Sequence, residues 1–287
     1  MSPVALVRLE AAIGRHERLV VGYSGGADSA FLAYMAHRVL GEGALAVTAV
    51  SPSLPAREQK EARSFARSHG LAHLEVVTDE GERPEYVAND GQRCFHCKSA
   101  LFDALAPLQR LLSATIAIGT NTDDLGDHRP GQQAAAERGV VTPLVEAGFS
   151  KNDVRQLSRL LGLETADKPA AACLASRVAY GEPVTPELLA RIEVAEEALH
   201  GLGFAVCRVR SHGQGTVGRV ELPRDGIAEA ASRRAEIEAA VLGAGFSFCA
   251  LDLSGFRSGS MNVLLNDLNA PVPVSLAAPR RTTADGR

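Results

Sequence analysis

The sequence contains no tryptophan, and aromatic residues make up only 5% of its 287 positions. Nothing in it points to a stacking surface of the kind that grips sugars or quaternary amines. No apolar run approaches the ~20 residues needed to cross a bilayer. The N-terminus also lacks the charged, apolar and small-residue segments of a secretory signal. A cytoplasmic location without a membrane partner is therefore expected. In that compartment the five cysteines read as free thiols, cluster ligands or metal ligands rather than as a disulfide frame. Basic excess is missing too. The 30 Lys and Arg residues are scattered among 34 acids, for a formal net charge of −4. No basic stripe marks a nucleic-acid face, so no nucleic acid is expected as partner.

What is present is ordinary for a globular protein, with 46% hydrophobic and 22% charged residues. The length allows one large domain, or a large and a small one. From residue 19 to about 161, short apolar runs alternate with amphipathic stretches. Strands are expected at 19–24, 44–51, 74–78 and 115–121, with a short one near 140–144. Helices are expected at 28–40, 56–69, 98–112 and 150–161, the last capped by Ser150 with Asp153 in its first turn. This alternation predicts an α/β fold with a parallel sheet and crossover helices, whose ligands sit beyond the carboxyl ends of the strands.

Residues 167–186 break the pattern. A helix at 186–200 follows, with Leu188, Ile192, Ala195 and Leu199 on its buried face. The rest reads as a smaller α+β unit. Strands are expected at 206–210 and 217–222 around a turn with Gly213 and Gly215, then a helix at 227–242 and strands at 248–253 and 261–265. The expected division is 1–165 for the nucleotide domain, 166–268 for the cysteine segment and C-terminal unit, and 269–287 for a disordered tail.

The strongest chemical signal is Ser24-Gly25-Gly26-Ala27-Asp28-Ser29, where the first strand gives way to the first helix. Two glycines let the backbone approach a ligand closely, and the free amides of a helix N-terminus favour an anion. Ser24 and Ser29 add hydroxyls, and Asp28 would hold a Mg²⁺ bridging phosphates. Without a Lys after the glycines this is not the GxxxxGK[ST] loop. Ser51 ends the second strand, and Gly119 and Asn121 end the fourth, at the edge where an adenosine would sit. An acidic stretch through Asp123, Asp124, Asp127, His128 and Arg129 reads equally as a metal and substrate site or as a loop capping the next helix.

Cys94 and Cys97 form a CxxC expected just ahead of the helix at 98–112, whose positive end would lower their thiol pKa. A zinc site would need two further ligands. Three thiolates would suit a [4Fe–4S] cluster if another cysteine came close. Cys173 is the candidate, lying among small residues with Lys168 and Arg177 nearby to favour its thiolate. Beside an ATP site it also makes sense as a nucleophile that displaces AMP from an adenylated carboxylate. Cys207 and Cys249 read as core residues. Arg208 and Arg210 share a strand face and suit a phosphate. Glu196 and Glu221 would hold a metal or orient an amine, or else are solvated charges.

SGGADS resembles the PP-loop of ATP pyrophosphatases, which implies cleavage of ATP to AMP and pyrophosphate. Together with RCFHCK, NTDDLGDHRPG, KPAAACLASR, RVRSHG and LDLSGFRSGSMN, in that order, the chain resembles the LarE family over about residues 5–266. That resemblance implies sulfur insertion into pyridinium-3,5-biscarboxylic acid mononucleotide, a step toward the nickel-pincer nucleotide of lactate racemase. It implies ATP and Mg²⁺ as cofactors and, with Cys94, Cys97 and Cys173 all present, a [4Fe–4S] cluster. In the sacrificial form of the reaction Cys173 gives up its own sulfur and becomes dehydroalanine. Arg177, Arg208, Arg210 and Arg257 are the expected substrate-binding residues, and a homo-oligomer is the expected assembly. A PP-loop tRNA thiolase and an amidotransfer ligase of the NAD synthetase type are the competing readings.

Overall fold

The computed structural model describes residues 3–126, 130–169, 172–257 and 260–264. Asp127, His128 and Arg129, and the segment 269–287, lie outside the described residues. Four parallel strands, β1 (Leu19–Gly22), β2 (Ala44–Val50), β3 (His73–Val77) and β4 (Thr115–Ile118), stand in the order β3-β2-β1-β4. Leu19 pairs with Ala44 on one side and Thr115 on the other, so all three carboxyl ends finish at one edge.

Helices α1 (Pro3–Gly14), α2 (Ala27–Leu40) and α3 (Ala56–Ser68) cover one face of this sheet. The short α4 (Pro84–Val87) leads into α5 (Arg93–Leu112), which covers the other. On the first face Phe31 and Phe149 pack with ring centroids 5.8 Å apart, among the buried Leu9, Ile13 and Leu32. On the second, Val20, Val47 and Ile116 meet Phe102 and Leu105. Each such side chain contributes roughly 1.5–3 kcal/mol by leaving water. With both faces covered, β1, β2 and β4 are apolar almost throughout, as the sequence pattern predicts, whereas the edge strand β3 carries His73 and Glu75 and leaves Leu74 and Val77 exposed.

Helices α6 (Pro130–Ala136), α7 (Pro143–Glu146) and α8 (Lys151–Leu160) complete this half. Ser150 accepts from the Asp153 amide while the Asp153 carboxylate accepts from the Ser150 amide, so the expected cap is a reciprocal one. The strand expected near 140–144 shrinks to a single bridge, Ala117 to Val141. Pro143 ends it, having no N–H for the ladder and a φ suited to the first position of α7.

The second sheet joins β5 (Arg208–His212), β6 (Val217–Glu221) and β7 (Phe248–Leu251) in the order β5-β6-β7. Helix α9 (Pro186–Gly201) lays Leu188, Ile192, Ala195 and Leu199 against it, the face expected from their spacing. The helix expected at 227–242 is two, α10 (Ile227–Ser232) and α11 (Arg234–Gly243). They break at Arg233, whose guanidinium reaches the Leu202 carbonyl as well as Glu229 and Glu236. The start of the strand expected at 261–265 lies instead in a 3₁₀ turn, Ser260–Asn262, tied down by the Ser260 hydroxyl on Glu221. Among the described residues no helix is long and apolar enough to cross a membrane.

Candidate functional site

The glycine-rich turn sits where β1 ends at the carboxyl edge. Gly26 is the N-cap of α2 and offers no side chain to its amides, which are left for an anion. Gly25 has φ +74°, and a Cβ there would lie 3.0 Å from that of Ala62. Gly119 matters through close approach, because its Cβ would stand 2.8 Å from the Ser29 nitrogen. The Ser29 hydroxyl donates to the Gly26 carbonyl and lies 3.1 Å from the Ser24 hydroxyl, closing the turn on itself. Behind it, buried Thr48 donates to the Tyr23 carbonyl at 2.8 Å. A cleft of about 350 Å³ opens in front, lined by Ser24, Gly26, Asp28, Ser29 and Gly119, with Thr48, Lys98 and Asp124.

Three expected nucleotide residues stand apart from this cleft. Asn121 is buried and its side-chain oxygen accepts from the Asp123 amide, shaping the turn after β4. Ser51 bonds to Ser53 at 2.8 Å and borders a small recess with Glu80 and Tyr86. Gly25 faces the opposite way, into a larger groove of about 670 Å³ that also meets Lys168 and Arg208.

Asp28 fits a divalent cation. Its Oδ1 is buried and accepts no hydrogen bond, while its Oδ2 is in ion-pair contact with the Lys151 ammonium. A hard oxygen donor left unsatisfied beside an anion-binding turn is the ligand that Mg²⁺ takes. Sequence reasoning did not single out Lys151. Its only signal was its place immediately after the Ser150 cap.

The three cysteines converge from two segments. The CxxC lies inside the first turns of α5 rather than ahead of it. The helix begins early because buried Arg93 is held by the Asn89 side chain and by the Ala175 carbonyl, a tertiary contact no local pattern announces. Cys94 is exposed, while Cys97 and Cys173 both pack against the C-terminal core. The expected lowering of the Cys97 pKa is overturned, since burial pushes this thiol up to about 12, with Cys173 and Cys94 adding to the rise. Desolvation outweighs the helix end.

Lys168 and Arg177, expected to favour the Cys173 thiolate, are committed elsewhere. Lys168 pairs with Glu58 and Glu61 and donates to the Gly25 carbonyl. Arg177 is buried in a two-point pair with Glu196 and donates to the Cys173 carbonyl, not to its sulfur. Two cations stand beside the thiols: Arg93, its charge interacting with Cys173 and Cys94 while its guanidinium lies over Tyr180, and Lys98, whose charge acts on Cys97. The cysteine segment is also fixed to the nucleotide half by the Leu174 amide on the Ser53 carbonyl, at 2.8 Å.

As a donor set, two half-buried thiols and one exposed thiol beside a buried guanidinium suit an anionic iron–sulfur group, whose irons take one thiolate each. They do not converge as ligands of one ion. Among the described residues no three His, Cys, Asp or Glu side chains could hold a single metal. Glu196 and Glu221 have structural partners instead. Glu196 is saturated by Arg177 and the Val209 amide, and fully buried Glu221 by Arg210, Arg219 and Ser260. Arg210 is thereby paired and Arg257 is exposed. Arg208 alone of the four expected arginines is half-buried without an ion pair among the described residues. Burial, and Arg177 nearby, hold it below the ordinary guanidinium range, and it lies over Phe256 at the edge of the larger groove. Cys207 is buried as expected, its thiol also pushed up to about 12 by burial, and Cys249 is partly buried.

Residues 6–81, which carry the turn and its flanking strands, match the family model described as NAD synthase. A parallel sheet bearing this uncapped glycine turn at its carboxyl edge is the PP-loop fold of ATP-using enzymes, and the chain is one of them. It is 44% identical to an uncharacterized protein of Synechocystis sp., covering 91% of this chain and 97% of that one. It is 34% identical to the pyridinium-3,5-bisthiocarboxylic acid mononucleotide synthase of Lactiplantibacillus plantarum, over 88% of this chain and 92% of the relative. An uncharacterized protein of Methanocaldococcus jannaschii is 24% identical, over 85% and 92% respectively. The chain belongs to the LarE family, that of the Lactiplantibacillus synthase.

Proposed function

We propose that this enzyme inserts sulfur into pyridinium-3,5-biscarboxylic acid mononucleotide, using ATP, as a step in nickel-pincer nucleotide biosynthesis. One observation carries the reading beyond family membership. The segment bearing Cys173 is bonded directly to the nucleotide half, through Lys168 on Gly25 and Leu174 on Ser53. A thiol on a segment anchored to the ATP-binding half is what sulfur transfer to an activated acid requires.

In this reading a substrate carboxylate attacks the α-phosphorus of ATP, forming an acyl-adenylate and releasing pyrophosphate. The uncapped amides of α2 and the Ser24 and Ser29 hydroxyls hold the leaving pyrophosphate, with Mg²⁺ on Asp28 when bound. Arg208 takes the substrate phosphate, with exposed Arg257 as the further candidate, while Arg177 and Arg210 shape the site from their buried pairs with Glu196 and Glu221. The Cys173 thiolate then displaces AMP, giving a thioester. Loss of the Cys173 Hα as a proton and cleavage of its Cβ–S bond would release the thiocarboxylate and leave dehydroalanine. A [4Fe–4S] cluster held by Cys94, Cys97 and Cys173 would supply sulfide instead and spare the cysteine.

The test is to purify the protein without oxygen, record its visible spectrum, incubate it with ATP and the biscarboxylate nucleotide, and weigh the polypeptide. Thiocarboxylate and AMP are expected. A brown protein of unchanged mass identifies cluster-supplied sulfide. Loss of the mass of H₂S at Cys173 identifies the sacrificial route, in which Cys94→Ala keeps a single turnover. Absence of thiocarboxylate, with a tRNA thiolated in its place, overturns the proposal.

A further inference from the structure

Lys151 is placed against the interests of its own helix. It is the first residue of α8, whose positive end disfavours a cation, and its own amide donates to the Asp123 carboxylate. The cap of that helix is complete without it, being built from Ser150 and Asp153. The Lys151 side chain is a third exposed and reaches across the sheet edge to Asp28 Oδ2, 123 residues earlier. That carboxylate faces the cleft of the glycine-rich turn, with Oδ1 unpartnered. The backbone of Asp28 has little freedom to shift, because its carbonyl group is packed on Gly119, where even a Cβ would come within 2.9 Å of it. If a divalent cation is to use both oxygens, the lysine must move.

We propose that Lys151 keeps Asp28 closed to free divalent cation and swings onto the pyrophosphate of ATP as the nucleotide enters, so that metal and nucleotide bind together. The proposal rests on Asp28 as the metal ligand. In the resting site the ammonium occupies the place of the metal charge, and the carboxylate is never left unpaired in a partly buried position. When a nucleotide arrives, three or four negative charges on adjacent phosphates outcompete one carboxylate for the ammonium. The freed oxygens then take the metal that travels with the phosphates.

Mn²⁺ titration followed by electron paramagnetic resonance tests this on the full-length chain without any turnover. The wild type should bind free Mn²⁺ weakly and tighten sharply when inorganic pyrophosphate is added. Lys151→Met should bind free Mn²⁺ about fivefold more tightly, the equivalent of losing one competing ion pair. The same variant should bind pyrophosphate at least about tenfold more weakly, having lost a charge-assisted contact. Lys151→Gln should behave like Lys151→Met, and an unchanged melting temperature in either shows that the fold is intact. Unchanged or weaker Mn²⁺ binding in both variants, or unchanged pyrophosphate affinity, overturns the proposal. Asp28→Asn separates the underlying reading. If it leaves Mn²⁺ binding intact in the Lys151→Met background, Asp28 is not the metal ligand and the proposal fails for that reason, while the pyrophosphate arm still reports on the lysine alone.

Discussion

The ammonium of Lys168 donates to the carbonyl of Gly25 at 3.1 Å, joining two residues 143 positions apart. The same ammonium neutralises Glu58 and Glu61 on α3. One side chain therefore sets the distance between the glycine-rich turn and the cysteine segment. Lys168→Met should cost on the order of 2 kcal/mol, since it strands a carbonyl and two partly buried carboxylates. It should also slow thiocarboxylate formation more than it weakens ATP binding. Urea unfolding, calorimetry with ATP and product analysis together check this.

The Arg177–Glu196 pair gives a sharper stability prediction. Both side chains are buried, at 3% and 8% exposure. Arg177→Met alone should destabilise by about 3–5 kcal/mol, because it leaves a carboxylate buried without its partner. Adding Glu196→Gln should recover a large part of that loss. The urea midpoints of the two single variants and the double variant give the coupling directly.

Gly119→Ala should fail at the nucleotide site. The new methyl group meets the Ser29 nitrogen at 2.8 Å and the Asp28 carbonyl group just beyond, all backbone atoms that cannot swing aside. The expected cost is about 1–3 kcal/mol, with a matching loss of ATP affinity as the turn is pushed out of shape. Calorimetry beside a thermal melt separates the two effects.

The stability of this protein should fall as the medium becomes mildly acidic. Burial lowers the pKa of His73, and burial together with Arg219 lowers that of His212. An unfolded histidine takes up a proton near pH 6.5, so below that point the unfolded chain binds more protons than the folded one. The contribution is complete above about pH 7 and is lost as pH falls through 6.5 toward the folded values. The carboxylates with depressed pKa, such as Glu75 and Asp153, titrate below that window. Denaturation at pH 7.5 and 5.5 should show the drop, and His73→Gln with His212→Gln should flatten it.

The nucleotide half was legible because its signals are local. Apolar strands, a glycine pair and the Ser150 cap each act within a few residues, and their positions hold to within a few residues. Elements set by distant contacts were not. The early start of α5 depends on Asn89 and Ala175 holding Arg93, and the break at Arg233 depends on Leu202. The helix α1 lies ahead of the first strand and has no motif, so only its packing on α2 reveals it. At the site the residue types were readable but their partners were not. Lys168 and Arg177 were visible as cations near Cys173 in sequence, yet carboxylates from α3 and α9 claim them in space.

Four residues of the cysteine segment are stitched to five separate places, Lys168 to α3 and the glycine turn, Leu174 to Ser53, Ala175 to Arg93 and Arg177 to α9. This bears on how such enzymes can be recombined. A chimera spliced within this stretch splits one set of stitches between two parents. One spliced on either side of it brings in the whole stretch and asks it to match carboxylates and carbonyls of the other parent. Exchanges among relatives should therefore succeed when the glycine turn, Ser53, α3, the start of α5 and α9 through Glu196 travel with the cysteine.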